Sequence, residues 1–527
     1  MGKEKDQRTI EASQSVEREL RLAGDRDVLE AAFDALPLTT QSGDDGKTVD
    51  LDNHYFDTRD HLLCKKGLAF RVRHGNKGIR QTLKAGDDAQ NTLLSRGEWE
   101  TALDGDRPSL EALPGRARKL IPEGVKEGDL ETVFKTTFQR RTRRLTVDQA
   151  GEPAMIEASI DLGTIDAGTN QLPIAEIELE LLEGAPATLY QLALELQEIA
   201  PLRLETRSKS NRAFDSITGK SPAWSRATAP ALTRASNVDQ AMAAIFKGCF
   251  DQWVANQAAA IDGKDIEGVH QMRVGLRRLR SALSIFKQLI PKGQRVWLKP
   301  GAREVAKYLG PARDWDVFLD DLLMPVIRAR PDDLELRALR TRAKTQRAAC
   351  YRAMRRQLAE KPYNQILLRF GQWLEQQGWR NERSKKQAAR GAMPITDFAA
   401  AVLDARLDAA LTLGEGFADR PVEERHELRI ALKKLRYAVE FFTPLFDKKH
   451  VKPFVASLKA LQNDLGHLND VVVAQELLDS IICRPGKTDI RRPAGLVIGW
   501  HERGVFDLEP CLVRDWSGFT KHRPFWT

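Results

Sequence analysis

The stretch ERELRL at Glu17–Leu22 alternates charged side chains with leucine. Strand side chains alternate in direction, so Glu17, Glu19 and Arg21 share one face, and Leu20 and Leu22 the other. AFRVR (Ala69–Arg73) repeats the arrangement with cations, and EIELEL (Glu176–Leu181) repeats it with carboxylates. On an open sheet such faces look into water. Here acidic rows on two strands are matched by Arg and Lys rows on others, and a closed barrel is the architecture that can hold complementary rows inside. Alternating segments at Val16–Leu22, Leu51–Asp57, Leu68–Arg73, Ile79–Lys84, Gly97–Thr101, Arg140–Val147, Met155–Leu162 and Ile174–Leu182 make eight strands. Helical periodicity intrudes only at Arg26–Ala35 and Thr188–Ile199. The pattern predicts a barrel or sandwich, not a βαβ array.

Clustered carboxylates offer hard oxygen ligands suited to Mg²⁺ or Mn²⁺. Rows of Arg and Lys suit phosphate oxygens, with Arg able to bind them bidentately. Acids, metal and guanidinium groups around one cavity are the parts that phosphoryl transfer uses.

After residue 213 the pattern changes. SITGKSPAWSRATAPALTRASN lacks sustained periodicity and is rich in Ser, Thr, Ala and Pro, so residues 214–236 are expected to be a linker. From Asn237 onward the 3.6-residue period holds almost throughout. HQMRVGLRRLR (His270–Arg280) returns as HELRIALKKLR (His426–Arg436), an offset of 156 residues. The same offset carries Leu309, Gly310, Arg313 and Asp314 onto Leu465, Gly466, Asn469 and Asp470. It also relates the helices around Ala241–Gln257 and Asp397–Leu413. One register across three separated segments marks an internal duplication, read as two helical bundles over about 237–395 and 396–527. The repeated Gly-x-x-(Arg/Asn)-Asp is expected to be a turn at a helix junction.

His270, Arg273, Arg277 and Arg280 fall at i, i+3, i+7 and i+10, one stripe of a helix; Met272, Leu276 and Leu279 fall on the opposite side. His426, Arg429, Lys433 and Arg436 repeat the stripe. The net charge of +8 conceals a division that agrees with this: residues 1–213 carry 30 Lys/Arg against 38 Asp/Glu, and the remainder 52 against 36. A basic second half invites a polyanion. Its stripes lack the interleaved aromatics of single-strand binders, and no helix-turn-helix or RRM signature is present, so nucleic acid is the lesser alternative.

The 527 residues allow several domains. No apolar run approaches the roughly 20 residues of a membrane span, and the charged first residues have no secretory signature. The five cysteines are scattered without CxxC spacing. A disulfide framework or zinc site is therefore not expected from them, and a cytoplasmic location is.

Residues 17–22 resemble the ExExK strand that defines the CYTH domain of triphosphate tunnel metalloenzymes. HYFDT (54–58), GLAFRVR (67–73), QTLK (81–84), SRGEWE (95–100), RRTRR (140–144), ASIDLGTI (158–165), IAEIELEL (174–181) and RSKS (207–210) follow in family order. The resemblance implies an eight-stranded antiparallel tunnel over residues 13–213. It also implies metal ligands at Glu17, Glu19, Asp161, Glu176 and Glu178, and phosphate contacts at Arg71, Arg73, Lys84, Arg141 and Lys209. The family's lysine after ExE is Arg21 here, which places Glu19 and Arg21 at the expected catalytic positions. Arginine binds phosphate but is a poor general base.

The second half resembles CHAD, a helical domain marked by HxxRVxxRRLR with an internal second copy, over residues 237–527. The resemblance implies polyphosphate binding by His270, Arg273, Arg277, Arg280, His426, Arg429, Lys433 and Arg436, with Lys307 and Arg313 as additions. Together the halves predict a multi-domain α+β protein. The CYTH–CHAD pairing resembles bacterial inorganic triphosphatases, which implies Mg²⁺- or Mn²⁺-dependent hydrolysis of inorganic triphosphate. The alternatives are a non-catalytic polyphosphate-binding protein, or a tunnel enzyme acting on an organic triphosphate, as thiamine triphosphatase and class IV adenylate cyclase do.

Overall fold

The computed structural model describes residues 15–36, 47–75, 78–86, 94–149, 152–420, 422–482 and 489–526; the side chains at 15–17, 94–96, 149 and 422–424 fall outside the description. The chain divides into two compact units. One comprises Met1–Ala223 with Ala359–Gln376, the other Trp224–Leu358 with Gln377–Thr527.

The first unit contains β1 (Ser15–Ala23), α1 (Arg26–Asp34), β2 (Thr48–Asp57), β3 (Leu68–Gly75), β4 (Gly78–Ala85), β5 (Leu94–Ala102), β6 (Glu131–Gln149), β7 (Glu152–Ala167), β8 (Asn170–Glu183), α2 (Ala187–Ile199), β9 (Arg203–Leu204) and α3 (Lys209–Thr218). The sheet runs β5-β4-β3-β2-β6-β7-β8-β1 and closes on itself where β1 pairs with β5, all antiparallel. The ring thus has the eight expected strands. The ninth is the two-residue β9, added beside Leu22 and Ala23 of β1. The longest strands, β6 and β7, extend well beyond the alternating segments that marked them, since their outer parts carry mixed rather than alternating side chains. α3 continues to Thr218 and buries Phe214, so the first residues of the 214–236 stretch are helical.

The alternation fixes which side of each strand faces inward. Leu20, Leu22, Ile177 and Leu179 are fully buried on the outside of the ring, where α1 and α2 pack against it. Glu19, Arg21 and Glu178 face the interior. A barrel with an apolar exterior covered by helices and a charged interior reverses the usual arrangement. That reversal is stable only because the buried charges are paired.

The second unit contains α4 (Val238–Ala255), α5 (Ile266–Ile285), α6 (Lys292–Val317) and α7 (Leu334–Ala359). After α8 (Lys361–Glu375), which belongs to the first unit, come α9 (Ile395–Leu413), α10 (Val422–Phe442), α11 (Lys448–Ile482) and α12 (Arg491–Thr520). The starts of α9 to α12 match those of α4 to α7 at the offset of 156 to within one residue. α8 has no counterpart. It packs on α2 in the first unit, where Asn364 Oδ1 accepts a 3.2 Å hydrogen bond from the Leu204 amide. Ala359–Gln376, expected within the helical half by sequence, therefore belongs spatially with the tunnel.

The expected Gly-x-x-(Arg/Asn)-Asp turns are helical instead. Gly310 and Asp314 lie inside α6, and Gly466 and Asp470 inside α11. Gly310 has a different use: a Cβ there would come 3.2 Å from Arg273 Nη1. The missing side chain lets that guanidinium lie across the helix. Among the described residues, no helix is long and apolar enough to cross a membrane.

Candidate functional site: a charged tunnel and a cationic helix face

Inside the ring is a cavity of about 220 Å³. β1 supplies Glu19 and Arg21, β3 supplies Arg71 and Arg73, β4 supplies Lys84, β8 supplies Glu178 and α3 supplies Lys209. Seven residues chosen from sequence are thus brought to one cavity. Asp161 and Glu176, directly opposite each other on β7 and β8, are wholly buried beside it. The Glu17 side chain lies outside the described residues.

Lys209 reaches this cluster because Ser208 caps α3, accepting from the Asn211 amide at 3.0 Å. The first residue of the helix then turns its chain into the barrel. Its ammonium is 2.8 Å from both Asp161 Oδ2 and Glu178 Oε1 and also contacts Glu176. Arg212, one turn on, holds Glu176 at 2.6 Å. Arg21 pairs with Glu19 and lies 3.2 Å from Glu178. Burial alone would raise the Glu178 carboxyl, but Lys209, Arg140 and Arg21 outweigh it and hold it well below the ordinary range. Glu176 is lowered in the same way, by Lys209 and Arg212 against burial.

Elsewhere in the cavity Lys84 is 3.1 Å and Arg71 3.6 Å from Glu98. Arg73 donates to Asn53 Oδ1 at 2.8 Å. Burial, with Arg71 and Arg140 nearby, pushes Arg73 down to about 9. The cause is burial beside other cations with too little negative charge nearby, and an incoming phosphate would supply that charge.

Arg141 was expected among the phosphate contacts, and the structure corrects its placement. Arg141 faces α1, with Nη1 3.1 Å from Asp34 Oδ1 and its guanidinium over the Phe33 ring. Arg140 is the cavity residue, bound to Asp161 at 2.6 Å and to Glu178. Adjacent residues of β6 face opposite sides, so an error of one position reverses the face. Sequence reasoning also passed over Tyr55, Glu98, Glu157 and Ser159, which line the cavity. The alternation of Asn53 and Tyr55 against Phe56 was the available signal.

Asp161, Glu176 and Glu178 present carboxylate oxygens within 4.8 Å of one another. Three hard oxygen donors at that spacing fit Mg²⁺ or Mn²⁺, with Lys209 now balancing their charge.

In the helical unit, Met272, Leu276 and Leu279 are fully buried, while His270, Arg273, Arg277 and Arg280 line the half-buried opposite face of α5. Arg273 pairs with Asp314 at 3.5 Å, and its repeat mate Arg429 donates to Asn469 at 3.0 Å. The two stripes meet: Arg277 lies within electrostatic reach of Arg429 and Lys433. Among the described residues, Arg277 Nε, Arg280 Nε, Arg313 Nη1 and Arg429 Nε are buried donors without a hydrogen-bond partner. Burial, then Arg429 and Arg277, pushes Lys433 down to about 7. Burial, then Arg313, pushes His270 down to about 4, so it is neutral at pH 7. Arg436 is engaged by Glu440 at 2.7 Å and Gln462 at 2.9 Å. Two expected contacts stand apart from the half-buried face: His426 is exposed, and Lys307 is exposed and bound to Glu304.

A family model for the CYTH domain matches residues 16–214, and one for the CHAD domain matches residues 244–479. An inorganic triphosphatase of Haemophilus influenzae is 30% identical over 166 residues, 31% of this chain and 45% of that protein, so the chain spans under half of that relative's length. A protein of Mycobacterium tuberculosis described as uncharacterized is 26% identical over 461 residues, 82% of each chain. Among solved structures, the CHAD domain from the plant Ricinus communis is 28% identical, with a TM-score of 0.47, over 57% of this chain and 98% of that one. The two domain models match in succession along a single polypeptide, and the chain belongs to the CYTH–CHAD proteins.

Proposed function

We propose that the tunnel hydrolyses inorganic triphosphate to pyrophosphate and phosphate, with Mg²⁺ or Mn²⁺, and that the helical unit binds polyphosphate. The observation carrying the first part is the meeting of buried carboxylates with Arg and Lys side chains from several strands around one cavity. Arg71, Arg73, Lys84 and Arg140 would hold the phosphate oxygens by charge-assisted hydrogen bonds. Glu19, Asp161, Glu176 and Glu178 would hold the metal, with Glu17 as a further candidate. When bound, the metal supplies charge neutralisation across adjacent phosphate groups. Arg21 remains protonated and serves as the counter-charge of Glu19 and Glu178, not as a base.

The inorganic triphosphatase activity named for the Haemophilus relative favours this substrate. The orphaned guanidinium donors around Arg277 support polyphosphate binding by the helical unit, because a flexible polyanion would satisfy them. One observation favours a second reading. Arg21 and Lys209 already neutralise the carboxylates, as a tunnel that anchors phosphate chains without cleaving them would require.

The deciding experiment measures phosphate release from tripolyphosphate, ATP and thiamine triphosphate, with and without Mg²⁺, for the wild type and Glu19→Ala. Metal-dependent release from tripolyphosphate that is lost in Glu19→Ala is expected. Release from none of the three leaves the anchoring reading. Preference for ATP or thiamine triphosphate moves the substrate to an organic triphosphate.

A further inference from the structure

The outer surface of the barrel carries a second group of metal-ligating side chains. Asn53 and Tyr55 of β2 turn inward, so Asp52 and His54 turn outward. His74 lies directly across from Asp52 on β3. His54 Nε2 is 3.2 Å from Asp52 Oδ2, and the two imidazole rings stand 5.4 Å apart at 64°. Asp52, His54 and His74 each present one ligand atom, all within 4.8 Å of one another. Asp106, on the loop after β5, sets Oδ1 3.0 Å from His74 Nε2.

Two features set this group apart from ordinary surface ion pairs. Among the described residues, Asp52 Oδ1 and His74 Nδ1 are buried atoms with no hydrogen-bond partner, which costs free energy unless something else engages them. The loop that presents Asp106 is also anchored directly after it. Arg107 donates to the Leu130 carbonyl at 2.8 Å, and the Ser109 amide to Gln81 Oε1 at 2.8 Å. A fourth donor is thereby held beside His74.

We propose that Asp52, His54, His74 and Asp106 form a Zn²⁺ site outside the tunnel. Two imidazoles and two carboxylates supply the nitrogen and oxygen donors that zinc takes in tetrahedral geometry, at roughly 2.0–2.2 Å. Each of the four side chains retains solvent exposure, which leaves room for it to rotate toward an ion. The donor set also separates this site from the tunnel, because imidazole suits zinc whereas an all-carboxylate cluster suits Mg²⁺ or Mn²⁺. The exposed Lys135 lies across from His54 on β6, and its flexible stem lets its charge turn to solvent. The bound ion ties β2 and β3 to the loop after β5, so its effect is to stabilise the barrel rather than to enter the reaction.

The test uses the full chain, stripped with chelator and kept in excess Mg²⁺ so that the tunnel carboxylates are occupied. Zn²⁺ retention by equilibrium dialysis and the visible absorption of added Co²⁺ are compared in the wild type, His54→Ala/His74→Ala and His54→Gln/His74→Gln. The wild type is expected to retain about one Zn²⁺ more per chain than either double variant, to show the intense absorption of tetrahedral Co²⁺, and alone to melt higher when zinc is added. Equal zinc retention and an equal melting shift in all three proteins overturn the site. Tripolyphosphate hydrolysis in Mg²⁺ is expected to be unchanged in the glutamine variant, which keeps this test separate from that of the tunnel.

Discussion

The ammonium of Lys209 lies 2.8 Å from Oδ2 of Asp161, a carboxylate with no exposure to solvent. Lys209 occupies the centre of the three acids best placed to hold a divalent ion. A metal ion held there, as proposed, would compete with the protein cation for the same oxygens, because like charges a few Å apart in a partly desolvated cavity repel strongly. Lys209→Gln is expected to tighten Mn²⁺ binding in the absence of substrate by about tenfold, a change of about 1.4 kcal/mol, read by electron paramagnetic resonance. The same variant should raise KM for tripolyphosphate. Weaker Mn²⁺ binding would show that the lysine organises the metal ligands instead of opposing the ion.

Arg140 and Arg141 provide a paired comparison on one strand. Arg140 bridges Asp161 and Glu178 inside the barrel, whereas Arg141 lies over Phe33 on the outside. Removing a charged donor aimed at developing negative charge typically costs on the order of 100-fold or more in rate. Arg140→Ala is expected to lose about that factor in kcat/KM on tripolyphosphate, and Arg141→Ala to stay within about twofold. Equal losses would mean that the face of β6 is misassigned.

This pair also marks where sequence reasoning stopped. The rows Glu19–Leu22, Ala69–Arg73 and Glu176–Glu180 were legible because apolar neighbours occupy every second position and force the charges to one face. RRTRR (140–144) has no such neighbours, so nothing local says whether even or odd positions turn inward; the contact of Arg141 with Asp34 decides it, and that contact spans more than a hundred residues. The helical repeat was legible for the same reason as the rows, as a period kept over a long distance. Lys307 shares the basic character of its neighbours, but its pairing with Glu304 on the same helix is a local alternative that composition does not reveal. The attachment of α8 to the tunnel was not legible at all. Its apolar face, with Tyr363, Leu367 and Phe370 fully buried, reads equally well as the core of the helical half.

The α2–α8 contact is close enough to test by a single methyl group. A Cβ at Gly371 would lie 2.1 Å from Cε1 of Tyr190, a ring that is itself buried. Overpacking of this kind typically costs about 1–3 kcal/mol. Gly371→Ala is expected to lower the melting temperature of the tunnel unit, and Gly371→Ala with Tyr190→Ala to be less destabilised than the two single changes summed. Strict additivity would show that the two elements do not pack as described.

If the helical unit binds polyphosphate as proposed, Lys433 should make that binding dependent on pH. Its folded value of about 7 lies well below the roughly 10.4 of a lysine in an unfolded chain. Between these limits the unfolded chain binds the extra proton, so stability should rise with pH across that window. Below about 7 both forms are protonated and the repulsion from Arg429 and Arg277 is felt in full. A bound polyphosphate adds the negative charge that the cluster lacks and draws the proton back. Binding near pH 8 should therefore take up close to one proton, seen as a dependence of the calorimetric enthalpy on the ionisation heat of the buffer, and affinity should fall as pH rises above about 7. Lys433→Arg keeps the charge at every pH and is expected to abolish both effects while leaving binding salt-sensitive. Proton uptake that persists in Lys433→Arg would assign the titration to another group and remove Lys433 from the binding face.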